Sequence, residues 1–299
     1  MKYIFMLISI LLSVMNACLL RKYGEVNKKN YSPFLFNAGV SVVWIIILFA
    51  LFVFGDSKVS LGAIAYGVAY GVILFAFLLF KTQSMAHGPV SLSTLIGSCA
   101  FVIATGFGVV YANEKVSTLQ LVGMLMLLIS LIMCVNPQKS SEKLTKKWFI
   151  YCFGFFLAGG MVGVLYKLFG KSPFGNEVET MFLTAAIVSL LLFSIVGIVH
   201  AKSVSKIKPD KTILIFMLLS GMASCLYIRM NLSLSSVIPS IVFFPVSNGG
   251  MVIFSTIIGR IVFKERLNKL QLWGIAMGCI AVVINGCGDY LCNLIISTF

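Results

Sequence analysis

Two short polar stretches, NEKVSTLQLVG at residues 113–123 and KERLNKLQLWG at residues 264–274, decide how the chain folds. They lie 151 positions apart, about half of the 299-residue length. The identical positions are Glu114/Glu265, Leu119/Leu270, Gln120/Gln271, Leu121/Leu272 and Gly123/Gly274. A motif repeated half a chain apart indicates an internal duplication.

The composition is that of a protein whose surface faces lipid. The chain is 60% hydrophobic and 11% charged, with a mean hydropathy of +1.04, whereas soluble domains carry roughly 25% charged residues. The net charge of +14 does not indicate nucleic-acid binding, because the basic residues lie in separate loops rather than in one patch. We therefore expect membrane lipids as a partner and no nucleic acid.

Ten apolar segments are long enough to cross a bilayer, which takes about 20 residues each. The predicted spans are 3–20, 33–54, 61–83, 90–112, 118–136, 148–170, 180–200, 211–234, 240–262 and 268–286. A polar linker at 137–147 separates a first five-helix repeat (1–136) from a second repeat with a short C-terminal tail (148–299). Because five is odd, the second copy enters the membrane in the opposite direction. The predicted fold is an all-α integral membrane protein with ten transmembrane helices in two inverted five-helix repeats.

The loop charges predict an orientation. Loops one, five, seven and nine carry four Lys or Arg residues each, whereas the even loops carry little beyond Lys58, Lys115 and Lys171. Basic residues concentrate in cytoplasmic loops. We therefore expect the odd-numbered loops in the cytoplasm and both termini outside, in the plasma (inner) membrane.

The motifs resemble those of the drug/metabolite transporter superfamily, specifically its ten-helix EamA-like branch. The matching residues are Asn113-Glu114, Lys264-Glu265-Arg266, the Gln-x-x-Gly that follows each, and PSIVFFPVSNGG at 239–250. The resemblance implies alternating access around a central cavity and export or exchange of small metabolites. Members of this branch usually have both termini inside, so the charge pattern of this chain points the other way.

The acidic residues all lie in loops, at span ends or in the tail. Small multidrug antiporters of the same superfamily use a carboxylate embedded in the membrane to couple protons to cationic drugs. We therefore expect a secondary transporter that moves a small neutral or zwitterionic metabolite, such as an amino acid, by alternating access. The alternatives are a multidrug or lipid-intermediate exporter and a non-transport membrane scaffold or sensor.

The chain offers little for catalysis. Two histidines and no predicted carboxylate at membrane depth leave few groups for metal or acid–base chemistry. We expect no enzyme activity, no cofactor and no metal site. Because both halves are present in one chain, it can act as a monomer, and a homodimer is the alternative.

Polar side chains within the spans are the candidates for solute contact. Asn248 lies near the centre of the ninth span, where Pro245 and the Gly249-Gly250 pair predict a weakened helix that exposes backbone groups. The predicted substrate-binding residues are Asn16, Tyr66, Tyr70, Ser98, Tyr166, Lys167, Tyr227 and Asn248. The competing interpretation of these residues is structural: packing amides, interface aromatics, a hydroxyl bonded to its own helix backbone, and a lysine that extends to the headgroups.

The residues that recur at equivalent positions in both repeats, and several pairs of glycines, are predicted to be structural. Glu114 and Glu265 lie near the start of the next helix, whose N-terminal dipole they can favour. Gln120 and Gln271 are expected to form hydrogen bonds across the same turns. Small-residue faces at Gly67–Gly71, Gly159–Gly163 and Gly274–Gly278 are expected to allow close helix packing.

Overall fold

The structure is a computed structural model that describes residues 2–26, 33–55, 57–87, 90–114, 116–134, 145–201, 211–262 and 268–298. These residues form eleven helices. They are α1 (Lys2–Val26), α2 (Pro33–Phe54), α3 (Leu61–His87), α4 (Val90–Ser98), α5 (Phe101–Ala112), α6 (Thr118–Cys134), α7 (Lys146–Lys171), α8 (Val178–Ala201), α9 (Lys211–Val237), α10 (Ser240–Val262) and α11 (Lys269–Thr298). The all-α prediction is confirmed.

Eight of these helices are long and apolar enough to cross a membrane, and shorter apolar segments cover Leu95–Tyr111 and Thr118–Cys134. Large apolar side chains are exposed along the helices, among them Ile46, Ile150 and Trp273. Such a surface is stable in contact with hydrocarbon rather than water. The chain is therefore a multi-pass integral membrane protein.

The fourth predicted span, 90–112, differs from the expected single helix. A turn at residues 99 and 100 divides it into α4 and α5. The Ala100 amide donates to the Gly97 carbonyl at 3.2 Å and the Ile103 amide to the Ala100 carbonyl at 3.1 Å, so bonding there shifts to the tighter three-residue pattern.

Helix directions show that α4 and α5 make one crossing. Gly67 approaches Met181 and Gly71 approaches Val188, so α3 and α8 run parallel. Successive crossings alternate in direction. If α4 and α5 crossed separately, α8 would be the eighth crossing and antiparallel to α3, the third. Parallel packing therefore makes α8 the seventh span, as predicted.

The chain forms two compact units, and the first contains Met1–Ala76 and Leu168–Ser233. In this unit α2 packs against α8, and the start of α2 lies against the end of α8, where Gly197 approaches Leu35. An added Cβ at Gly67 would lie 2.5 Å from the Met181 carbonyl oxygen. The predicted Gly67–Gly71 face thus packs directly on the α8 backbone.

The second unit contains Phe77–Lys167 and Leu234–Phe299. Here α10 packs against α5, α6 and α11. The predicted glycine face of α7 packs on α4 and α5, since Cβ atoms at Gly159 and Gly163 would lie 3.0 and 2.4 Å from the Cβ atoms of Ala100 and Ala104. The glycines allow this close approach.

The repeated polar motif forms the same capping box twice. Before α6, the Ser117 amide donates to Gln120 Oε1 at 3.0 Å and the Gln120 amide to Ser117 Oγ at 3.3 Å. Before α11, the Asn268 amide donates to Gln271 Oε1 at 3.0 Å and the Gln271 amide to Asn268 Oδ1 at 2.7 Å. Each box satisfies helix N-terminal donors, so the predicted glutamine bonds across the turns are confirmed.

The helices that follow the two boxes pack against each other reciprocally. Gly123 near the start of α6 lies against Asn285 near the middle of α11, and Gly274 near the start of α11 lies against Cys134 at the end of α6. Ser130 Oγ also donates to the Gly274 carbonyl at 2.7 Å. The fifth and tenth spans are therefore antiparallel, as the inverted arrangement requires of equivalent helices.

The compact units do not follow the predicted repeats, since each unit combines segments from both halves of the sequence. The repeat boundaries at 1–136 and 148–299 stay a prediction. Most of the loop residues behind the predicted orientation, at 27–32, 135–144, 202–210 and 263–267, lie outside the described residues, and so does Glu265.

Candidate functional site

Two predicted site residues contact each other between α1 and α9 in the first unit. Asn16 is half-buried, and its Oδ1 accepts a hydrogen bond from Ser220 Oγ. The Asn16 side chain also forms a hydrogen bond with the Tyr227 side chain. The Asn16 amide therefore contacts a hydroxyl on α9 that the sequence analysis did not select.

The same contact between helices includes Ser9 and Asn231, which the sequence analysis also missed. Ser9 Oγ donates to Asn231 Oδ1 at 2.5 Å and lies 3.4 Å from the Tyr227 carbonyl oxygen. We call Ser9, Asn16, Ser220, Tyr227 and Asn231 the α1–α9 seam. Ser9 and Asn16 are seven residues apart, as are Ser220 and Tyr227, and this two-turn spacing on each helix was the available signal.

The polar stripe of α9 continues toward α2. Trp44 Nε1 donates to Ser224 Oγ at 2.8 Å, and Ser224 Oγ lies 2.7 Å from the Ser220 carbonyl. Ser224 therefore joins α2 to α9 one turn from Ser220. Buried hydrogen bonds of this kind hold helices together where lipid offers no alternative partner.

Tyr66 and Tyr70 are part of an aromatic contact with the ends of α7 and α8. The Tyr66 ring meets Phe169 edge-to-face at 5.4 Å, and the Tyr70 ring meets Phe182 at 5.5 Å. Tyr70 is 1% exposed, whereas Tyr66 is half-buried. Edge-to-face packing accounts for the ring of Tyr70, and Tyr66 keeps accessible surface.

A charged cluster in the second unit is built around Glu114. Lys167 Nζ donates to Glu114 Oε1 at 2.9 Å and to the Ile238 carbonyl at 3.0 Å. The Ser240 amide donates to Glu114 Oε2 at 2.5 Å, and Ser240 Oγ lies 3.3 Å from Oε1. Lys167 is 3% exposed and Glu114 is 13% exposed. We call Glu114, Lys167, Ile238 and Ser240 the Glu114 clasp.

In the clasp, Glu114 makes a structural contact, but with α10 rather than with the expected helix α6. The sequence predicts that Glu114 favours the start of α6. The structure instead places its carboxylate at the start of α10, where it accepts the Ser240 amide and balances the positive end of the helix. The partner lies 126 residues away, so local spacing did not reveal it.

Other basic side chains on the spans differ in their pairing. In the first unit, an Arg229 guanidinium nitrogen donates to Glu179 Oε1, so this pair is also internally balanced. Lys81 forms no ion pair with the described residues, and it lies six residues before the end of α3. A lysine at that depth can extend its ammonium toward the headgroups.

Asn248 lies on an unbroken helix. The helix α10 continues through Pro245, so the proline does not end it, and the expected weakening stays a prediction. Residues 240–246, which include the proline, are all buried. Asn248 Nδ2 donates to the Phe244 carbonyl at 2.9 Å. The neighbouring Ser247 Oγ is buried and has no hydrogen-bond partner among the described residues.

The predicted residues divide between the two units. Asn16, Tyr66, Tyr70 and Tyr227 lie in the first unit, and Ser98, Tyr166, Lys167 and Asn248 lie in the second. Ser98 is half-buried at the end of α4, and Tyr166 is buried beside Lys167 on α7. Their substrate-binding role stays a prediction. In the described part of the chain, no three His, Cys, Asp or Glu side chains are grouped so that they could hold a metal ion.

Comparison with known proteins gives a family for the first half and a fold for the whole chain. Residues 1–136 match the EamA-like transporter family, which confirms the resemblance over the first predicted repeat. Among solved structures, 29 chains match. One crystal structure has a TM-score of 0.75 and 12% identity, and the match covers 97% of this chain and 96% of that chain. No curated protein matches. The matched family is one of transporters, and the match covers 136 of the 299 residues.

Proposed function

Since the first 136 residues match the EamA-like transporter family, we propose that the protein is a secondary transporter for a small neutral or zwitterionic metabolite, such as an amino acid. It works by alternating access and carries out export or exchange. It acts as a monomer or homodimer in the plasma (inner) membrane.

The α1–α9 seam carries the proposal. Its side chains are amides, hydroxyls and a phenol, all without net charge, on helices that cross the membrane. Arg229 on the same helix α9 is balanced by Glu179. Polar groups at membrane depth must face protein or a wet cavity. Neutral donors and acceptors favour a solute that is itself neutral or zwitterionic.

The Glu114 clasp supports the same solute class. The partly buried carboxylate of Glu114 is already balanced by Lys167 and by the start of α10. Both carboxylate oxygens of Glu114 are already engaged by groups of the protein itself. Glu114 is therefore not free to pair with a cationic drug.

The orientation proposed for the chain places the odd-numbered loops in the cytoplasm and both termini outside. A short tag at each terminus of the protein in intact cells should then be cleaved by added protease. Protection of both tags in sealed cells, with cleavage only after lysis, would reverse the orientation.

Ligand-induced thermal stabilisation of the purified protein in detergent tests the solute class. The panel contains amino acids, sugars, nucleosides, polyamines and cationic drugs. A ligand that binds only the folded protein stabilises it by RT ln(1 + [L]/Kd), about 2.7 kcal/mol at a ligand concentration of 100 Kd. We expect a neutral or zwitterionic metabolite to raise the melting temperature, and Asn248→Ala to reduce that rise. Stabilisation by cationic drugs alone would replace the proposal with a multidrug exporter.

A further inference from the structure

The amide group of Asn231 is held at its oxygen. Ser9 Oγ donates to Oδ1 at 2.5 Å, which fixes the side chain and directs Nδ2 away from Ser9. Asn231 is half-buried. No described residue accepts a hydrogen bond from its Nδ2. The seam therefore presents an oriented amide donor on a membrane-spanning helix.

An unused amide donor at this depth is costly unless something polar meets it. Asn231 Nδ2 is not one of the buried polar atoms that lack a partner, so it keeps accessible surface, and an amide that meets hydrocarbon without a hydrogen bond is strongly unfavourable. Beside the seam, Trp44 on α2 donates a hydrogen bond to Ser224 on α9, so a closed contact lies near this open one. The open donor indicates a position that water or a solute occupies.

The chemistry of the seam selects the group that would bind. The Oδ1 atoms of Asn231 and Asn16 already accept hydrogen bonds from Ser9 and Ser220. The group that remains at Asn231 is its Nδ2 N–H, which recognises an acceptor oxygen rather than an ammonium. A carboxylate is the strongest such acceptor, because hydrogen bonds to an ionised group are roughly twice as strong as neutral ones.

We propose that Asn231 is a solute-binding residue that donates from Nδ2 to the carboxylate of a zwitterionic metabolite. The proposal rests on the function proposed above, and it adds a residue and the chemical group that this residue recognises. Ser9 acts as a positioning residue, because it contacts the amide oxygen and sets the direction of the donor.

Asn16 makes its contact at a separate position. Ser9 and Asn16 are seven residues apart on α1, which corresponds to about 10 Å along the helix axis. One carboxylate cannot reach both amides over that distance. Replacing Asn231 should therefore remove the carboxylate preference while Asn16 remains available to the rest of the solute.

The test compares two probes on the purified full chain: an equimolar mixture of neutral amino acids and the matching mixture of amino alcohols, which lack the carboxylate. Thermal stabilisation is titrated for wild type, Asn231→Ala and Asn231→Asp. The aspartate keeps an acceptor for Ser9 but removes the donor. The matched control is Ser224→Ala, also on α9, which removes the hydrogen bond from Trp44 on α2.

The expected result is stabilisation of wild type by the amino acids and not by the amino alcohols. Asn231→Ala should weaken amino-acid binding about 10- to 100-fold, the range for one hydrogen bond to a charged acceptor. Asn231→Asp should weaken it at least as much, because it adds like charge. Ser224→Ala should lower the melting temperature but keep the wild-type affinity.

Two results would overturn the assignment and leave the proposed function standing: equal stabilisation of wild type by both mixtures, or wild-type amino-acid affinity in both Asn231 variants. Stabilisation of wild type by neither mixture, together with a response to cationic drugs, would overturn the proposed function and the assignment together. Asn231→Asp keeps the test valid if Asn231→Ala fails to fold.

Discussion

At the scale of single residues, the Glu114 carboxylate joins three segments of the second unit. It contacts the end of α7 through Lys167 and the start of α10 through the Ser240 amide. Gly108 makes room for this contact, because a Cβ there would lie 2.0 Å from Ser240 Oγ and 3.1 Å from Glu114 Oε2. The clasp therefore depends on a charge, a countercharge and a glycine.

Removing the countercharge of the clasp should destabilise the protein strongly. Lys167→Met leaves the Glu114 charge partly buried and unbalanced by an ammonium, and breaking a buried pair in this way costs about 3–5 kcal/mol. The double variant Glu114→Gln/Lys167→Met should recover much of that loss, since the glutamine oxygen can still accept the Ser240 amide. The measurement is the melting temperature in detergent.

The control for this experiment is Lys171→Met, the same substitution at an exposed lysine one turn later on α7. We expect the control to melt near wild type. A Lys167→Met variant as stable as Lys171→Met would show that the ion pair contributes nothing, and so would a double variant that melts no higher than Lys167→Met.

Residue roles were predictable from the sequence where the partner is local. Gln120 and Gln271 form hydrogen bonds with residues three positions earlier, as their place at the start of a helix predicts. The Ser240 contact of Glu114 and the Asn231 contact of Ser9 connect residues more than 100 positions apart. Spacing within one helix carries no information about such partners.

At the scale of helices, small residues decide which faces meet. Gly67 packs on α8 so closely that an added Cβ would lie 2.5 Å from a backbone oxygen and 2.6 Å from Thr184 Cβ. Gly106 in α5 is also helical, but a Cβ there would meet nothing within 4 Å. The two glycines therefore separate the effect of packing from that of helix propensity.

Gly67→Ala should lower the stability by about 1–3 kcal/mol, because α3 and α8 must move apart to admit the methyl group. Gly106→Ala should be neutral or stabilising, since alanine is favoured over glycine inside a helix by up to about 1 kcal/mol. Melting temperatures of the two variants provide the measurement. Equal behaviour of both would contradict the packing account of the Gly67–Gly71 face.

Element positions followed from hydropathy because a crossing helix must be apolar for its whole length. The predicted second and ninth spans, 33–54 and 240–262, coincide with α2 and α10. The turn between α4 and α5 was missed because it needs no proline and arises from a local change of hydrogen-bond pattern. Pro245 lies inside α10 without ending it, although its nitrogen has no hydrogen to donate to the preceding turn.

At the scale of the whole molecule, the described residues contain eight long apolar helices and two shorter apolar segments. These, together with the antiparallel packing of α6 and α11, agree with an inverted arrangement of five spans and five. The fold extends over the whole chain, as the match over 97% of its length shows. Composition alone was sufficient to predict a membrane protein. The division into compact units was not predictable, because each unit combines segments from both halves of the sequence.

The central claim is that the protein carries a neutral or zwitterionic metabolite across a membrane, and solute counterflow in proteoliposomes tests it most directly. Vesicles that contain the wild-type protein are loaded with unlabelled neutral amino acids and diluted into trace labelled amino acids. They are compared with empty vesicles, which contain no protein, and with vesicles that contain Asn231→Asp. The account predicts transient accumulation of label with wild type and a large loss of accumulation with the variant. Label uptake no greater than in empty vesicles, from protein that responds to cationic drugs, would contradict it.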